Sequence, residues 1–297
     1  MAAEANATVT LDTGVPRAIA DLHAGVADLQ RAAGGGPLGG LVNVWRREWS
    51  TWFGTRRWLT HLLIWLVLLV VVPVGILYAA TAGQRGGAGG VGDIGLTFSF
   101  DGPGAALAIY YMVGTVCVAL GGIIATMSTV VDETVHGTAL FLLSKPVTRG
   151  AFVLGKFGAN LVALLLLAIV VPMVLLYLFS ALVGGAPALP SWLGAHLLLA
   201  LHLAVLVALT ILLGVLFRSV APVAGVAVAA LFASVLLENP PLTALKPWFI
   251  WDLPSIASRV SDGAVPTGTE WTTIVVSAVW LVVFLVAAMI AFAKRDL

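Results

Sequence analysis

The sequence predicts an all-α polytopic membrane protein with six transmembrane helices, an interfacial helix before the first span and a cytoplasmic helix between spans 2 and 3. The 297 residues are 60% hydrophobic and only 10% charged, and their mean hydropathy is +1.06. Soluble domains, by contrast, are about 25% charged. Six apolar runs can each cross a bilayer core, which takes roughly 20 helical residues. Because lipid offers no partner to unpaired backbone groups, these runs are predicted to be helices.

The six spans are predicted at about 61–82, 105–131, 157–183, 192–217, 219–237 and 271–293, within a transmembrane domain of residues 59–297. With the N-terminus inside, twelve of the fifteen Lys and Arg residues fall in inside segments, and Arg85, Lys246 and Arg259 fall outside. The excess of positive charge marks the cytoplasmic side. Both termini and residues 132–156 are therefore predicted to be cytoplasmic, in a multi-pass protein of the cell (plasma or inner) membrane.

Residues 1–40 are predicted to form a separate cytoplasmic extension. One helical stripe in it contains Ile19, Leu22, Val26 and Leu29. A Gly-Gly-Gly-Pro run at 34–37 then indicates a flexible linker. An amphipathic helix that docks a partner and a weakly ordered tail both remain open.

Residues 41–58 are predicted to contain an in-plane interfacial helix that bends near Gly54-Thr55 into the first span. On a helical wheel of residues 41–54 the apolar side chains fall within about 120° of arc, and the arginines lie opposite. Such a helix places its aromatic rings in the acyl boundary and its arginines at lipid phosphates. The predicted membrane-interface residues are Trp45, Arg46, Arg47, Trp49, Trp52 and Phe53. A simple juxtamembrane anchor without a mechanism is the alternative.

Residues 238–270 form the longer outside loop. They contain Pro240-Pro241 and the aromatic cluster of residues 248–251. Amphipathic rings are at home at the membrane–water interface. The loop is therefore predicted to hold a short interfacial or re-entrant external helix.

Residues 130–156, VVDETVHGTALFLLSKPVTRGAFVLGK, form a charged segment between two apolar runs. Each of its charges would cost roughly 2.5–3.5 kcal/mol in the middle of a membrane helix. The segment is therefore expected to protrude at a membrane face. Its charged start and apolar patch favour a short helix offered to a partner, and a solvated loop is the alternative.

Enzymatic chemistry finds little support in the chain. Residues 150–156 nearly match a phosphate-binding loop, but Phe157 stands where the magnesium-binding Ser or Thr is needed, and no strand precedes them. No Ser-His-Asp arrangement, paired carboxylates or CxxC is found, and no histidine pairs with a carboxylate at a metal-ligand spacing. We therefore expect no catalytic site and no cofactor in this chain. The net charge of +1, with basic residues spread along the sequence, gives no indication of a nucleic-acid partner.

The charged segment resembles the corresponding part of ABC type-2 transporter permeases, the six-span subunits that pair with separate ATPases. In that family, spans 2 and 3 are joined by Glu, Gly-Thr, an apolar Leu-Leu patch, Pro, Arg and finally Gly-Lys. The residues at these places here are Glu133, Gly137, Thr138, Leu142, Leu143, Pro146, Arg149, Gly155 and Lys156. The interfacial helix is similar to the family's elbow helix, and the ending Lys294-Arg295-Asp296-Leu297 also looks like a family feature. Residues 1–40 have no counterpart in the family pattern.

The resemblance implies a coupling helix at 132–143 that sits in a groove of a cytoplasmic ATP-binding subunit. The implied ATPase-coupling residues are Glu133, Gly137, Thr138, Leu142 and Leu143. The implied partners are two ABC ATPases, which would hold ATP and magnesium, a second permease subunit, identical or homologous, and the lipid bilayer. Closure of the ATPases would tilt the spans around a path between two permease subunits. The low polarity of the spans favours export of a hydrophobic or lipid-like cargo.

Three polar residues within or near the spans are candidates for the cargo path. A histidine inside a span, His202, is a functional candidate by default, and a histidine bonded to a neighbouring helix is the alternative. Tyr110 and Tyr111 lie near the outer end of span 2, where they could line a path or anchor the interface.

A function of another class is also compatible with the sequence. A six-span scaffold could signal mechanically to an extracytoplasmic partner, for example in metalloenzyme maturation, without moving cargo. Residues 238–270 would then be its working part.

Overall fold

The computed structural model describes residues 38–75, 103–135, 147–182, 186–233 and 242–295, and this part of the chain is helical without a strand. Its α-helices are α1 (Leu41–Phe53), α2 (Arg57–Gly75), α3 (Pro103–Thr126), α4 (Val131–Val135), α5 (Arg149–Leu182), α6 (Leu189–Leu216), α7 (Val220–Phe232), α8 (Leu253–Ser261) and α9 (Gly268–Ala293). Two short 3-10 helices, Leu242–Trp248 and Ile250–Asp252, precede α8.

Five helical segments are long and apolar enough to cross a membrane, which confirms the all-α class and indicates a multi-pass membrane protein. They are α2, the continuation of α3 into α4 (Gly114–Val135), α5, α6 and α9. They correspond to predicted spans 1, 2, 3, 4 and 6. The fifth predicted span corresponds to α7, whose 13 residues extend about 20 Å. A hydrocarbon core is roughly 30 Å thick, so α7 alone is too short to cross it.

Helix α5 begins at Arg149, eight residues before the predicted start of span 3 at 157. Its N-terminus is capped by Thr148, whose Oγ1 accepts a hydrogen bond from the Ala151 N–H at 3.1 Å. The prediction from hydropathy placed the start of this helix too late, because it treated Lys156 as a charge that lipid would exclude. In the fold, Lys156 is instead buried against protein.

Two of the long apolar helices contain a π-helical segment just before a proline. The π segments are Val67–Val71 in α2 and Leu165–Val170 in α5, and Pro73 and Pro172 follow two residues later. A proline ring clashes with the carbonyl four residues earlier and leaves it without its usual donor. Widening to π geometry accommodates both defects, so the two prolines are local irregularities of continuous helices.

The centre of the bundle is α6, and it packs most extensively on α9 and α8. In an apolar 18-residue stretch of each helix, 72% of the residues are buried in α6 and 11% are buried in α9. Because α6 is apolar on all sides, we expect other helices to surround it. The exposed face of α9 is also apolar, with Val275, Val279 and Val282 all more than half exposed, as expected of a helix that faces lipid.

Residues 250–261, which end in α8, lie against α6. The Ile250 carbonyl accepts a hydrogen bond from His202 Nδ1 at 3.3 Å, about 20 Å along α6 from Leu189. At the other end of α8, the Val260 side chain lies beside Gly194. The segment thus runs from the middle of α6 back towards its first turn.

Candidate functional site

A buried ion network joins three helices at one end of the bundle. Lys156 in α5 is 1% exposed. Its Nζ lies 2.7 Å from Glu48 Oε1 on α1 and 3.0 Å from Glu133 Oε1 on α4. Arg47 lies on the solvent side, with its Nη2 3.6 Å from the same Glu133 oxygen. A buried lysine is expensive unless it is paired, and here it has two carboxylate partners from different helices.

Polar groups one turn further along both helices extend the network. Asn160 Nδ2 donates to the Lys156 carbonyl at 2.8 Å and lies 3.5 Å from Glu48 Oε2. Its Oδ1 accepts a hydrogen bond from Trp52 Nε1 at 2.9 Å. Residues four apart share one face of a helix. Glu48 and Trp52 therefore lie on one face of α1, and they contact Lys156 and Asn160, which lie on one face of α5.

Two glycines allow α1 to approach α5 closely enough for these contacts. A Cβ at Gly155 would lie 2.7 Å from Val44 Cγ1, and a Cβ at Gly158 would lie 2.5 Å from the Trp45 ring. Real Cβ atoms essentially never come so close to a neighbour. The Gly155-Lys156 pair of the family-like pattern thus has two roles here, since the glycine admits α1 and the lysine binds its acid.

Helix α1 is turned relative to the interfacial orientation that the helical wheel predicted. Its extent and the bend after Phe53 agree with the prediction. However, Trp52, expected in the acyl boundary, is fully buried in the protein, together with Val44 and Glu48. The turn has a physical reason, because the Glu48 carboxylate reaches its buried cation only when this face points inward. The other predicted interface residues, Trp45, Arg46, Arg47, Trp49 and Phe53, are partly or fully exposed.

Helix α2 also contacts helices around the ion network, through Arg57. The Arg57 guanidinium lies over the Trp52 ring, 4.2 Å from the ring centroid. Its Nη2 donates to the Ala125 carbonyl at 2.9 Å, in the last turn of α3. A cation at a helix C-terminus satisfies a carbonyl that has no partner within the helix.

Glu133 is the one predicted coupling residue within the described ranges. It lies in the first turn of α4 beside Asp132, and its side chain is 13% exposed. Its carboxylate contacts the chain's own Lys156, at the point where the predicted coupling helix begins. Gly137, Thr138, Leu142 and Leu143 lie outside the described residues.

Two arginines donate hydrogen bonds to the C-terminal ends of α6 and α9, at the end of the bundle that contains the ion network. Arg149 Nη1 donates to the carbonyls of Phe292, at 3.2 Å, and Ala293, at 2.5 Å. Arg295 Nη1 donates to the Val215 carbonyl at 2.5 Å. Burial lowers the pKa of Arg295, and the nearby Arg218 adds to this effect. These contacts connect the start of α5 to α9, and α9 to α6.

The candidate cargo-path residues lie inside the bundle. Tyr110 and Tyr111 are 2% and 3% exposed, so they do not anchor a lipid interface. His196 Nδ1 donates to the Trp192 carbonyl at 2.8 Å, which leaves its Nε2 to accept from the Tyr110 hydroxyl at 2.9 Å. Tyr110 and His202 line one small pocket between α3, α5 and α6, which has room for roughly one water molecule.

His202 is also the bonded histidine that the sequence offered as the alternative, since it donates to the Ile250 carbonyl. Tyr111 lies outside the pocket lining, and its ring contacts Trp192 edge to face. Within the described ranges, no three His, Cys, Asp or Glu residues stand together as a metal site would require.

Comparison with known proteins places the chain in a family. A family model described as protein of unknown function (DUF2705) matches residues 108–297, well over half of the chain. The chain belongs to this DUF2705 family. No curated protein matches the sequence. The family match includes Glu133 and Lys156 of the ion network, whereas Glu48 and the rest of α1 precede it.

Proposed function

We propose that this DUF2705 chain is the membrane permease subunit of an ATP-driven ABC type-2 transporter. Separate cytoplasmic ATPases would drive export of a hydrophobic or lipid-like cargo through it. The observation that carries the proposal is the contact of Glu133 with Lys156. It joins the start of the predicted coupling helix, residues 132–143, to α5 and, through Glu48, to α1.

Force from an ATPase would enter the membrane part through this junction. A push on α4 reaches α5 through the ion pair, and it reaches α6 through Val130, which packs against Gly214. Arg149 carries the displacement of α5 on to the end of α9. Removing one partner of a buried ion pair costs about 3–5 kcal/mol, so Glu133 and Lys156 should stay in contact when α4 is displaced.

The rest of the complex follows from the same proposal. Two ABC ATPases hold ATP and magnesium, a second permease subunit, identical or homologous, completes the path, and this chain has no catalytic role. The six crossings are α2, α3, α5, α6, the combined α7–α8 region and α9. Both termini then lie in the cytoplasm, α1 is the elbow helix, and residues 1–40 are a cytoplasmic extension.

Site-specific photo-crosslinking in cells tests the proposal. A photoreactive amino acid at position 142, in the predicted coupling helix, should give a crosslink to a protein that contains a phosphate-binding loop. The same amino acid at Val265, 82% exposed at the opposite end of the bundle, is the matched control and should give none. Absence of an ATPase from the products at 142, with the chain inserted normally, would refute the permease assignment.

Mechanical signalling is the second candidate. The pocket that Tyr110 and His202 line has space for roughly one water molecule, so these two candidate cargo-path residues do not border a space of cargo size. A scaffold that transmits motion to an extracytoplasmic partner needs no such space. The two functions differ in what stimulates ATP hydrolysis by the complex, which is lipid-like cargo for a transporter and the extracytoplasmic partner for a scaffold.

A further inference from the structure

We infer that the pocket between α3, α5 and α6 binds one ordered water molecule, which bridges Tyr110 of α3 and His202 of α6. The pocket has room for roughly one water molecule. A water buried in a protein also needs about two to four polar partners, and the lining of this pocket supplies them. The site is independent of the proposed function, because it needs neither an ATPase nor a cargo.

His202 offers an acceptor to the pocket. Its Nδ1 lies 3.3 Å from the Ile250 carbonyl, and because a carbonyl can only accept, the ring proton is on Nδ1. Ile250 is outside the pocket lining, so the edge of the ring that faces the pocket is the one with Nε2. Among the residues that the structure describes, none donates a hydrogen bond to this nitrogen.

Tyr110 offers a second acceptor. Its hydroxyl lies 2.9 Å from His196 Nε2. That nitrogen can only accept, since Nδ1 of the same ring donates to the Trp192 carbonyl, so the Tyr110 hydroxyl uses its one proton there. The oxygen keeps its lone pairs for a donor in the pocket.

Thr115 and Ala168 also line the pocket. The Thr115 hydroxyl donates to the Tyr111 carbonyl within α3, so its oxygen too has only lone pairs left to offer. Ala168 lies in the π segment of α5, four residues before Pro172, whose nitrogen has no hydrogen to donate. Ordered water is one of the means by which membrane helices accommodate a proline.

The ligand that fits these groups is a small, neutral donor. Tyr110, Thr115 and His202 all accept, and each has already used its proton elsewhere, so no two of them can bond directly. Water has two O–H groups, one for Tyr110 Oη and one for His202 Nε2. None of the eight described residues that line the pocket carries a carboxylate. A cation would therefore be buried without a counter-ion, which is far more costly than burying water.

The water completes a chain of hydrogen bonds inside the bundle. The chain runs from the Trp192 carbonyl through His196, Tyr110, the water and His202 to the Ile250 carbonyl. It joins the two histidines of α6 to each other through α3. Because a buried acceptor without a donor destabilises a fold, the water should stabilise the packing of α3 against α6.

X-ray radiolytic footprinting of the purified chain in lipid nanodiscs tests the inference. Hydroxyl radicals formed from a bound water oxidise the side chains next to it, even where bulk solvent is excluded. Tyr110, 2% exposed, should be oxidised at least about three times faster than Tyr111, which is 3% exposed and outside the pocket lining. Tyr111 is the matched internal control, because the two rings are equally buried. Equal oxidation rates for the two tyrosines would overturn the inference.

Two threonine substitutions locate the water. Thr115→Val and Thr210→Val each remove a hydroxyl that donates to the carbonyl four residues earlier, but only Thr115 lines the pocket. Thr115→Val should lower the Tyr110 oxidation rate about twofold or more, because the water loses a polar neighbour. Thr210→Val should leave that rate unchanged. Equal effects of the two substitutions would refute a water at this site.

His202→Leu removes the ring acceptor with little change in side-chain volume. Apolar cavities stay dry, so Tyr110 oxidation should fall to the rate of Tyr111. An unchanged Tyr110 rate in a folded His202→Leu chain would place the source of the radicals elsewhere and contradict the inference. If His202→Leu does not fold, the comparison of the two tyrosines and that of the two threonine variants still decide.

Discussion

Lys156 and Glu48 are 108 positions apart in the sequence and 2.7 Å apart in the fold. The sequence placed Lys156 at the end of the family-like pattern but did not single out Glu48. A helical wheel sorts side chains into apolar and polar, and it places a lone acid on the polar face. Its partner belongs to another helix, beyond the reach of local periodicity. One signal was available, since Glu48 is the single acidic residue in a segment rich in Arg and Trp.

The hydrogen bond between Tyr110 and His196 gives a prediction at the residue scale. Tyr110→Phe removes the hydroxyl and leaves His196 Nε2 buried without its donor. The free energy of unfolding in detergent micelles should fall by about 1–2 kcal/mol. Tyr177→Phe removes the same atom from a neighbouring, partly exposed ring that also packs on Trp192, and it should cost less. Equal losses in the two variants would contradict the assigned hydrogen bond.

The helices differ in how far the sequence could define them. The extent of α1 and its bend towards α2 were predictable because a stripe of large side chains ends at Gly54-Thr55. The start of α5 was not, because hydropathy treats a lysine neutralised by two acids as an exposed charge. The packing of α8 and the residues just before it against α6 was also hidden. The arrangement depends on bonds such as that from His202 to Ile250, between residues far apart in the chain.

The close approach of α1 to α5 gives a prediction at the element scale. Gly155→Leu places a side chain where Val44 already lies, so α1 should be displaced. Overpacking of this kind costs about 1–3 kcal/mol, so the free energy of unfolding in detergent micelles should fall by about that amount. Gly225→Leu is the control, since a Cβ at Gly225 meets no atom within 4 Å. An unchanged free energy of unfolding in Gly155→Leu would contradict the packing of the two helices.

Charge and hydropathy predict the membrane topology of the whole molecule, and this topology gives a third prediction. Val265→Cys in a Cys117→Ser background should react with a membrane-impermeant maleimide added to intact cells. Leu140→Cys, in the predicted coupling helix, should react only after the cells are opened, because the positive-inside rule places it in the cytoplasm. Labelling of position 140 in intact cells would invert the topology and remove the coupling segment from the reach of an ATPase.

At the scale of the complex, the permease assignment is tested most directly by reconstituting the chain with any ATPase that co-purifies with it and measuring ATP hydrolysis by that ATPase. Gly137→Trp should abolish co-purification or cargo-stimulated hydrolysis, because a large side chain would hold the predicted coupling helix away from its groove. Membrane insertion should remain normal, and Arg85→Ala, in a loop on the predicted outer side, should retain both activities. If Gly137→Trp keeps co-purification and stimulated hydrolysis at the parental level, the chain is not coupled to an ATPase through residues 132–143.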